Sequence, residues 1–324
     1  MDQKKRDFEK IKEILIIRTG AIGDIILFLP VLRAIRKRFP DASIEVMGQR
    51  DRLSLLEDSC YVDKIVSIED RDLFSLFVKD ANPKDVLLQY LNRFDLIFSF
   101  IKEEDFSNNI KKFCKGNVIS IPPFPPDEWK GHIIDYLLDS LKKYGIESSN
   151  KTPELYIGVD TKKMAEDFLK TQGINPVRDT IFAIHPGSGS KKKNWPLKKF
   201  SEVATWMREK YTAKILLILG PAEEGMDGEI FDMIKEINPV LAKNLPLKLL
   251  SGLIASCKLY IGNDSGITHI SAALGIPTIS LFGPTDTDIW GTKGKKVVIL
   301  KGDMDSIATE EVKKGIELLV ESEE

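Results

Sequence analysis

Short apolar runs of strand length alternate with helical patterns along the whole chain. Ile14 to Arg18 reads as a strand, Ile25 to Arg38 as a helix and Ser43 to Met47 as a second strand, and the runs at Lys64 to Ile68, Asp95 to Phe100 and Asn117 to Ile121 predict three more. The Pro-rich stretch Ile121 to Pro126 can be neither helix nor central strand, and a helical pattern from Trp129 to Tyr144 follows it. A polar, turn-rich segment then interrupts the pattern. Beyond it the alternation resumes, with strands at Thr180 to His185, Lys214 to Leu219, Leu259 to Ile261 and Thr278 to Phe282, a helix at Leu197 to Lys210, and an amphipathic helix at Ser306 to Ser322.

This is the pattern of an α/β protein, and 324 residues exceed one average domain. An interdomain linker is expected near residues 146–155, dividing the chain into residues 1–150 and 151–324. Six of the 22 glycines precede residue 150, so tight ligand-facing loops are expected mostly in the second half.

Gly262-Asn263-Asp264-Ser265-Gly266-Ile267-Thr268-His269 joins an apolar strand to a helix predicted to open at Asp264. Such a loop offers backbone N–H groups and a helix dipole to a phosphate, and Asp264, Ser265, Gly266 and His269 are its candidate ligands. The neighbouring strand ends in Gly283-Pro284, so both strands would carry their carboxyl-end loops into one crevice, where nucleotide-like ligands bind in open α/β sheets. His185-Pro186-Gly187-Ser188-Gly189-Ser190, followed by Lys191 to Pro196, repeats the arrangement: small residues for close approach, hydroxyls on Ser188 and Ser190, and lysine charge. It does not match G-x-x-x-x-G-K-[ST]. A polar turn with solvated lysines is the competing reading of that loop.

After the strand Lys214 to Leu219, an acidic group of the loop Gly220-Pro221-Ala222-Glu223-Glu224 could accept hydrogen bonds from a ribose or merely cap a helix. Asp24, in Thr19-Gly20-Ala21-Ile22-Gly23-Asp24, occupies an N-cap position for the helix at Ile25, or serves as a general base for a substrate hydroxyl. His185 is either ligand-lining or buried. Asp286-x-Asp288 and Asp303-x-Asp305 are matches of the kind that chance supplies, and we read them as solvated.

A formal net charge of −2 argues against a dedicated nucleic-acid binder. Three widely spaced cysteines without C-x-x-C support neither a disulfide framework nor a zinc site, and fit a reducing cytoplasm. No signal peptide and no membrane-spanning run are expected, so membrane contact would be peripheral, through basic residues such as Arg33, Arg36, Lys37 and Arg38.

Together, IRTGAIGDIILFLPVLRAIRKRFP from Ile17, HPGSGSKKKNWP from His185, LGPAEE from Leu219 and GNDSGITHISAALGIPTISLFGPTD from Gly262 resemble glycosyltransferase family 9, the ADP-heptose:lipopolysaccharide heptosyltransferases. The resemblance implies a GT-B fold: two Rossmann-like domains facing a cleft, acceptor on the first and nucleotide sugar on the second, with a C-terminal helix crossing back. It implies inverting transfer of heptose from ADP-heptose to a lipopolysaccharide core acceptor, with no metal or other cofactor, on the cytoplasmic side of the membrane. It makes Asp24 the base and Lys193 the group that meets the diphosphate. Ser188 and Ser190 fall in the phosphate loop. Glu223, or Glu224 in its place, is the ribose-binding acid, Asp264 contacts the sugar, and Ser265, Gly266 and His269 surround the phosphates. Other donor sugars occur in the family, and the Cys-rich segment common in relatives is replaced here by KGDMDSIATEE. A nucleotide-sugar binding protein without catalysis is the alternative from another class.

Overall fold

The structure, a computed structural model, describes residues 10–69, 73–223 and 227–321. The chain divides into two compact units, Met1–Lys151 and Thr152–Glu324.

In the first unit, β1 (Glu13–Arg18), β2 (Ser43–Gly48), β3 (Lys64–Ser67), β4 (Leu96–Phe100) and β5 (Asn117–Ser120) form one sheet in the order β3-β2-β1-β4-β5. Every pairing is parallel. Ile14 to Ile17 of β1 and Leu96 to Phe98 of β4 are fully buried, because helices cover both faces of such a sheet and leave no solvent-facing side. Leu15, Ile17, Met47 and Ile97 pack with Phe94, Phe106 and Ile110 on one face.

The helix after β1 runs Ile22–Arg38, three residues earlier at its start than the sequence pattern indicates, because Gly23 is accommodated within its first turn. Gly20 makes the turn into it at φ +138°, which an L side chain rarely adopts. Arg36, Lys37 and Arg38 fall in its last turn, where cations oppose the helix dipole. Arg36 also pairs with Asp63 and donates to the carbonyl of Ala42 at 2.6 Å, and Arg33 donates to the carbonyl of Asn150 at 2.7 Å. Two of the four basic residues expected at a membrane are thus engaged in holding the fold.

The second unit carries β6 (Ile181–His185), β7 (Lys214–Leu219), β8 (Val240–Lys243), β9 (Leu259–Asn263), β10 (Thr278–Phe282) and β11 (Val297–Lys301). Their order is β11-β10-β9-β6-β7-β8, again all parallel. Both sheets have the doubly wound order in which successive strands run outward from a central strand and then reverse. The reversal falls between β1 and β4 in one unit and between β6 and β9 in the other.

Trp195, Phe200, Val203, Met207, Leu217, Ile261 and Leu281 form the core on one face of this sheet. The C-terminal helix Thr309–Glu321 turns Val312, Ile316 and Leu319 into the same core, and Gly315 lies close against Ile279. No helix among the described residues is long and apolar enough to cross a membrane.

Candidate active site

Loops leaving the carboxyl ends of β6, β7, β9 and β10 meet at the point where the strand order of the second unit reverses. Asn263, fully buried at the end of β9, holds two of them together. Its side-chain amide donates to the carbonyl of Pro186 at 2.6 Å, and its Oδ1 accepts from the backbone N–H of Trp195 at 3.0 Å. Trp195 is itself buried, its indole N–H donating to the carbonyl of Ile307 at 3.0 Å. Asn263 therefore fastens both ends of the His185 to Trp195 loop.

Within that loop the Ser188 hydroxyl is buried and turned inward, 2.8 Å from the carbonyl of Ser190 and 2.6 Å from Asn194 Oδ1. It braces the loop, while Ser190 stands exposed at its tip. A single helical turn, Lys191–Lys193, then brings the Lys193 Nζ to 2.7 Å from Asp264 Oδ2, the same oxygen that accepts from the Thr285 hydroxyl at 2.6 Å. Asp264 is 8% exposed and Lys193 31%. The pair is thus half-screened by protein, with the ammonium still accessible to a ligand.

Ser265, and not Asp264, is the N-cap of the helix, which starts at Gly266 and runs to Ala273. Its Oγ accepts from the N–H of Thr268 at 3.4 Å, a cap of the kind that stabilises a helix by about 1 kcal/mol. Asp264 is thereby left outside the helix, free to meet Lys193 and Thr285. His269 lies one turn into the helix with its ring buried.

The Ser265 Oγ also lies 3.3 Å from His185 Nδ1, and His185 Nε2 lies 3.4 Å from Glu223 Oε1. Glu223 is 4% exposed, its Oε2 accepting from the N–H of Gly220 at 2.5 Å, whereas Oε1 is buried without a hydrogen-bond partner among the described residues. The carboxylate rests against Gly187 so closely that a Cβ there would lie 1.3 Å from Oε1. His185 therefore joins the ribose-candidate acid to the helix cap. Glu224 lies outside the described residues. Beneath them, the Tyr260 phenol sits 3.1 Å from the Thr268 hydroxyl, which donates to the carbonyl of Asn263 at 2.5 Å; burial pushes the phenol well above its ordinary pKa and keeps it a donor.

Asp24 is in the first unit, on the loop that follows β1. It is the third residue of its helix and not the N-cap, a place taken by Ala21. Its Oδ2 reaches back to accept from the N–H of Ala21 at 2.7 Å, so the carboxylate still serves the helix start. Its side chain is 14% exposed, with Oδ1 3.8 Å from the guanidinium of Arg18. Asp286 accepts from the N–H of Asp288 and caps a one-turn helix, so the first D-x-D match is a local turn. Among the described residues no group of three His, Cys, Asp or Glu gathers as a metal site would require.

The profile of glycosyltransferase family 9 (heptosyltransferase) matches residues 126–317. This chain belongs to that family. It is 26% identical to lipopolysaccharide heptosyltransferase 3 of Escherichia coli over 294 residues, 83% of this chain and 82% of the relative. In structure it is similar to a family 9 glycosyl transferase from Veillonella parvula, with a TM-score of 0.82 over 96% of this chain and 98% of the other at 20% identity. E. coli ADP-heptose lps heptosyltransferase II matches with a TM-score of 0.76 over 96% and 99% at 18% identity. The fold is GT-B, and the protein is a glycosyltransferase.

Asn263, Thr285 and Arg18 carry no assigned role in the sequence reading, and His185, read as ligand-lining or buried, is buried. The signal for Asn263 was its place directly before Asp264 at a strand end; Thr285 and Arg18 gave none beyond their place inside the motifs quoted.

The Glu223 to Gly187 contact yields a test. Gly187→Ala is expected to lower stability by about 1–3 kcal/mol, because the new methyl must displace a buried carboxylate. In a double-mutant cycle with Glu223→Ala, read by urea unfolding, a coupling of about 1 kcal/mol or more is expected. Additive losses would mean that the carboxylate yields its place at no cost.

Proposed function

We propose that the protein transfers heptose from ADP-heptose to a lipopolysaccharide inner-core acceptor, with inversion and without a metal. The observation that carries this reading is the Lys193–Asp264 pair, set beside the capped N-terminus of Gly266–Ala273 where the strand order reverses. A helix start and an accessible ammonium are what a diphosphate needs. The names of the relatives support the sugar, the nucleotide and the acceptor: one acts in lipopolysaccharide synthesis as a heptosyltransferase, and another carries ADP-heptose in its name.

In this reading the second unit holds the donor. Ser265, Gly266 and His269 surround the phosphates with the loop of Ser188 and Ser190, Glu223 accepts from the ribose hydroxyls, and Asp264 contacts the sugar. The acceptor hydroxyl attacks the anomeric carbon from the face opposite the diphosphate and passes its proton to Asp24. The carbon–oxygen bond to the phosphate breaks, its electron pair stays on ADP, and Lys193 with the fixed N–H groups stabilises that charge. Asp24 Oδ1 is the oxygen that takes the proton, since Oδ2 is committed to the N–H of Ala21.

A peripheral contact with the anionic inner face of the cytoplasmic membrane completes the proposal. Lys37, exposed at the end of its helix, and Arg38 remain available, at about 1 kcal/mol per basic residue near such a surface. Vesicles containing anionic lipid are expected to retain more protein than neutral ones, and equal retention would remove this part.

Titration calorimetry with ADP, UDP, dTDP and GDP, without added metal, is expected to show preference for ADP. Preference for another base would transfer the reading to a different nucleotide sugar. Asp24→Asn keeps an acceptor for the N–H of Ala21, so it is expected to leave ADP affinity intact while lowering kcat by about 10²–10⁴-fold. Wild-type turnover in that variant would remove Asp24 as the base.

A further inference from the structure

Arg18, the last residue of β1, is 1% exposed, an unusual place for a charge. Its partners are few. One guanidinium nitrogen lies 3.8 Å from Asp24 Oδ1, another donates to the carbonyl of Pro123 at a long 3.4 Å, and Nε is buried with no hydrogen-bond partner among the described residues. The group packs against two rings, its Cζ 5.5 Å from the centroid of Phe28 and 5.8 Å from that of Phe124, within the range of cation–π attraction. Burial lowers the pKa of the guanidinium, and Asp24 offsets part of that cost.

An arginine serving stability alone would be better replaced by an apolar side chain of similar size, since a buried charge with unmet donors costs free energy that a hydrocarbon does not. The arrangement has a second property. The atoms that meet Arg18 come from the strand end, from the helix that bears Asp24, and from the stretch Ile121 to Pro126, which sequence reading singled out and the proposed chemistry leaves unused. Four prolines limit the conformations of that stretch, so a guanidinium anchored on Pro123 and Phe124 has a stiff support.

Asp24 needs such a support. Its Oδ2 is fixed by the N–H of Ala21 and by Gly20, where a Cβ would lie 2.6 Å from that oxygen. That single hydrogen bond restrains the carboxylate without locking it, because small rotations about Cα–Cβ and Cβ–Cγ move both oxygens together. The contact of Oδ1 with Arg18 narrows that motion from the other side without occupying the oxygen, because 3.8 Å is ion-pair distance and not hydrogen-bond distance.

We propose that Arg18 is a positioning residue for transfer: braced on Pro123, Phe124 and Phe28, it holds the Asp24 carboxylate at one orientation and leaves Oδ1 open to the acceptor hydroxyl. The proposal rests on the reading of Asp24 as the base. Arginine suits the task because its planar group can lie against a ring and reach a carboxylate and a carbonyl at once. Lysine offers a single point of charge that cannot do all three.

The test is steady-state transfer by the full-length protein, wild type against Arg18→Met, Arg18→Lys, Phe124→Ala and Asp24→Asn, with thermal unfolding and ADP calorimetry on each. Arg18→Met is expected to lower kcat by about 10²-fold, the scale of a misaligned catalytic group. The acceptor KM is expected to stay within about threefold and ADP affinity to be unchanged, a split that loss of folded protein would not produce. Arg18→Lys is expected to recover part of the loss. Phe124→Ala, which removes a ring 40% exposed, is expected to lower kcat by about tenfold in the same direction. Wild-type kcat in Arg18→Met beside an inactive Asp24→Asn would overturn the proposal while sparing the base. Turnover by Asp24→Asn would instead remove the base itself, and this inference with it. If Arg18→Met does not fold, wild-type kcat in both Arg18→Lys and Phe124→Ala overturns it.

Discussion

A parallel sheet whose strand order reverses must send the connections of two adjacent strands to opposite faces, and nothing then covers their carboxyl ends. The chain meets this constraint twice, between β1 and β4 and between β6 and β9. In the second unit it leaves a gap that Asn263 closes from below, joining the carbonyl of Pro186 to the N–H of Trp195. That amide fastens the ends of the His185 to Trp195 loop, Ser188 braces it from within, and Lys193 reaches Asp264 from it. Without the reversal there would be no open strand ends; without the amide, the loop over them would have no fixed shape.

Each unit sets a cation against an aspartate at its reversal, and the two pairs differ in a way that suits different tasks. Lys193 and Asp264 are 2.7 Å apart and the lysine is partly accessible, so under the proposed function an arriving diphosphate competes for an ammonium that is already in place. Arg18 and Asp24 stand 3.8 Å apart with the arginine sealed from solvent. That cation is beyond the reach of a ligand, and its influence passes through the carboxylate beside it. In the proposed mechanism the first arrangement supplies charge to a leaving group, and the second supplies direction to a base.

The strands and the loops after them were legible because both are local. Continuous apolar runs mark strands buried on both faces, and Gly-, Ser- and Asp-rich junctions mark their exits. The edge strands of the second sheet were not. Val240–Lys243 and Val297–Lys301 are only partly buried, so they lack the contrast that separates a strand from its surroundings. Helix starts slipped for a similar reason. Gly23 reads as a break but sits within a first turn, and the helix expected to open at Asp264 starts at Gly266 with Ser265 as its cap. Contacts between residues 71 to 80 positions apart, such as Lys193 with Asp264 and His185 with Ser265, follow from strand order and have no trace in a local pattern. Ser188 shows the converse: its place in the loop was legible, but its inward turn onto Ser190 and Asn194 was not.

The central claim is that these loops handle the diphosphate of a heptose donor while a core oligosaccharide receives the sugar. Its most direct test is incubation of the protein with ADP-heptose and a heptose-free lipopolysaccharide core in the presence of a chelator, following ADP release and acceptor mass together. The account predicts one heptosyl residue added per ADP released, with no loss of rate to the chelator. Release of ADP without a heavier acceptor, or transfer only from a different nucleotide sugar, would contradict it.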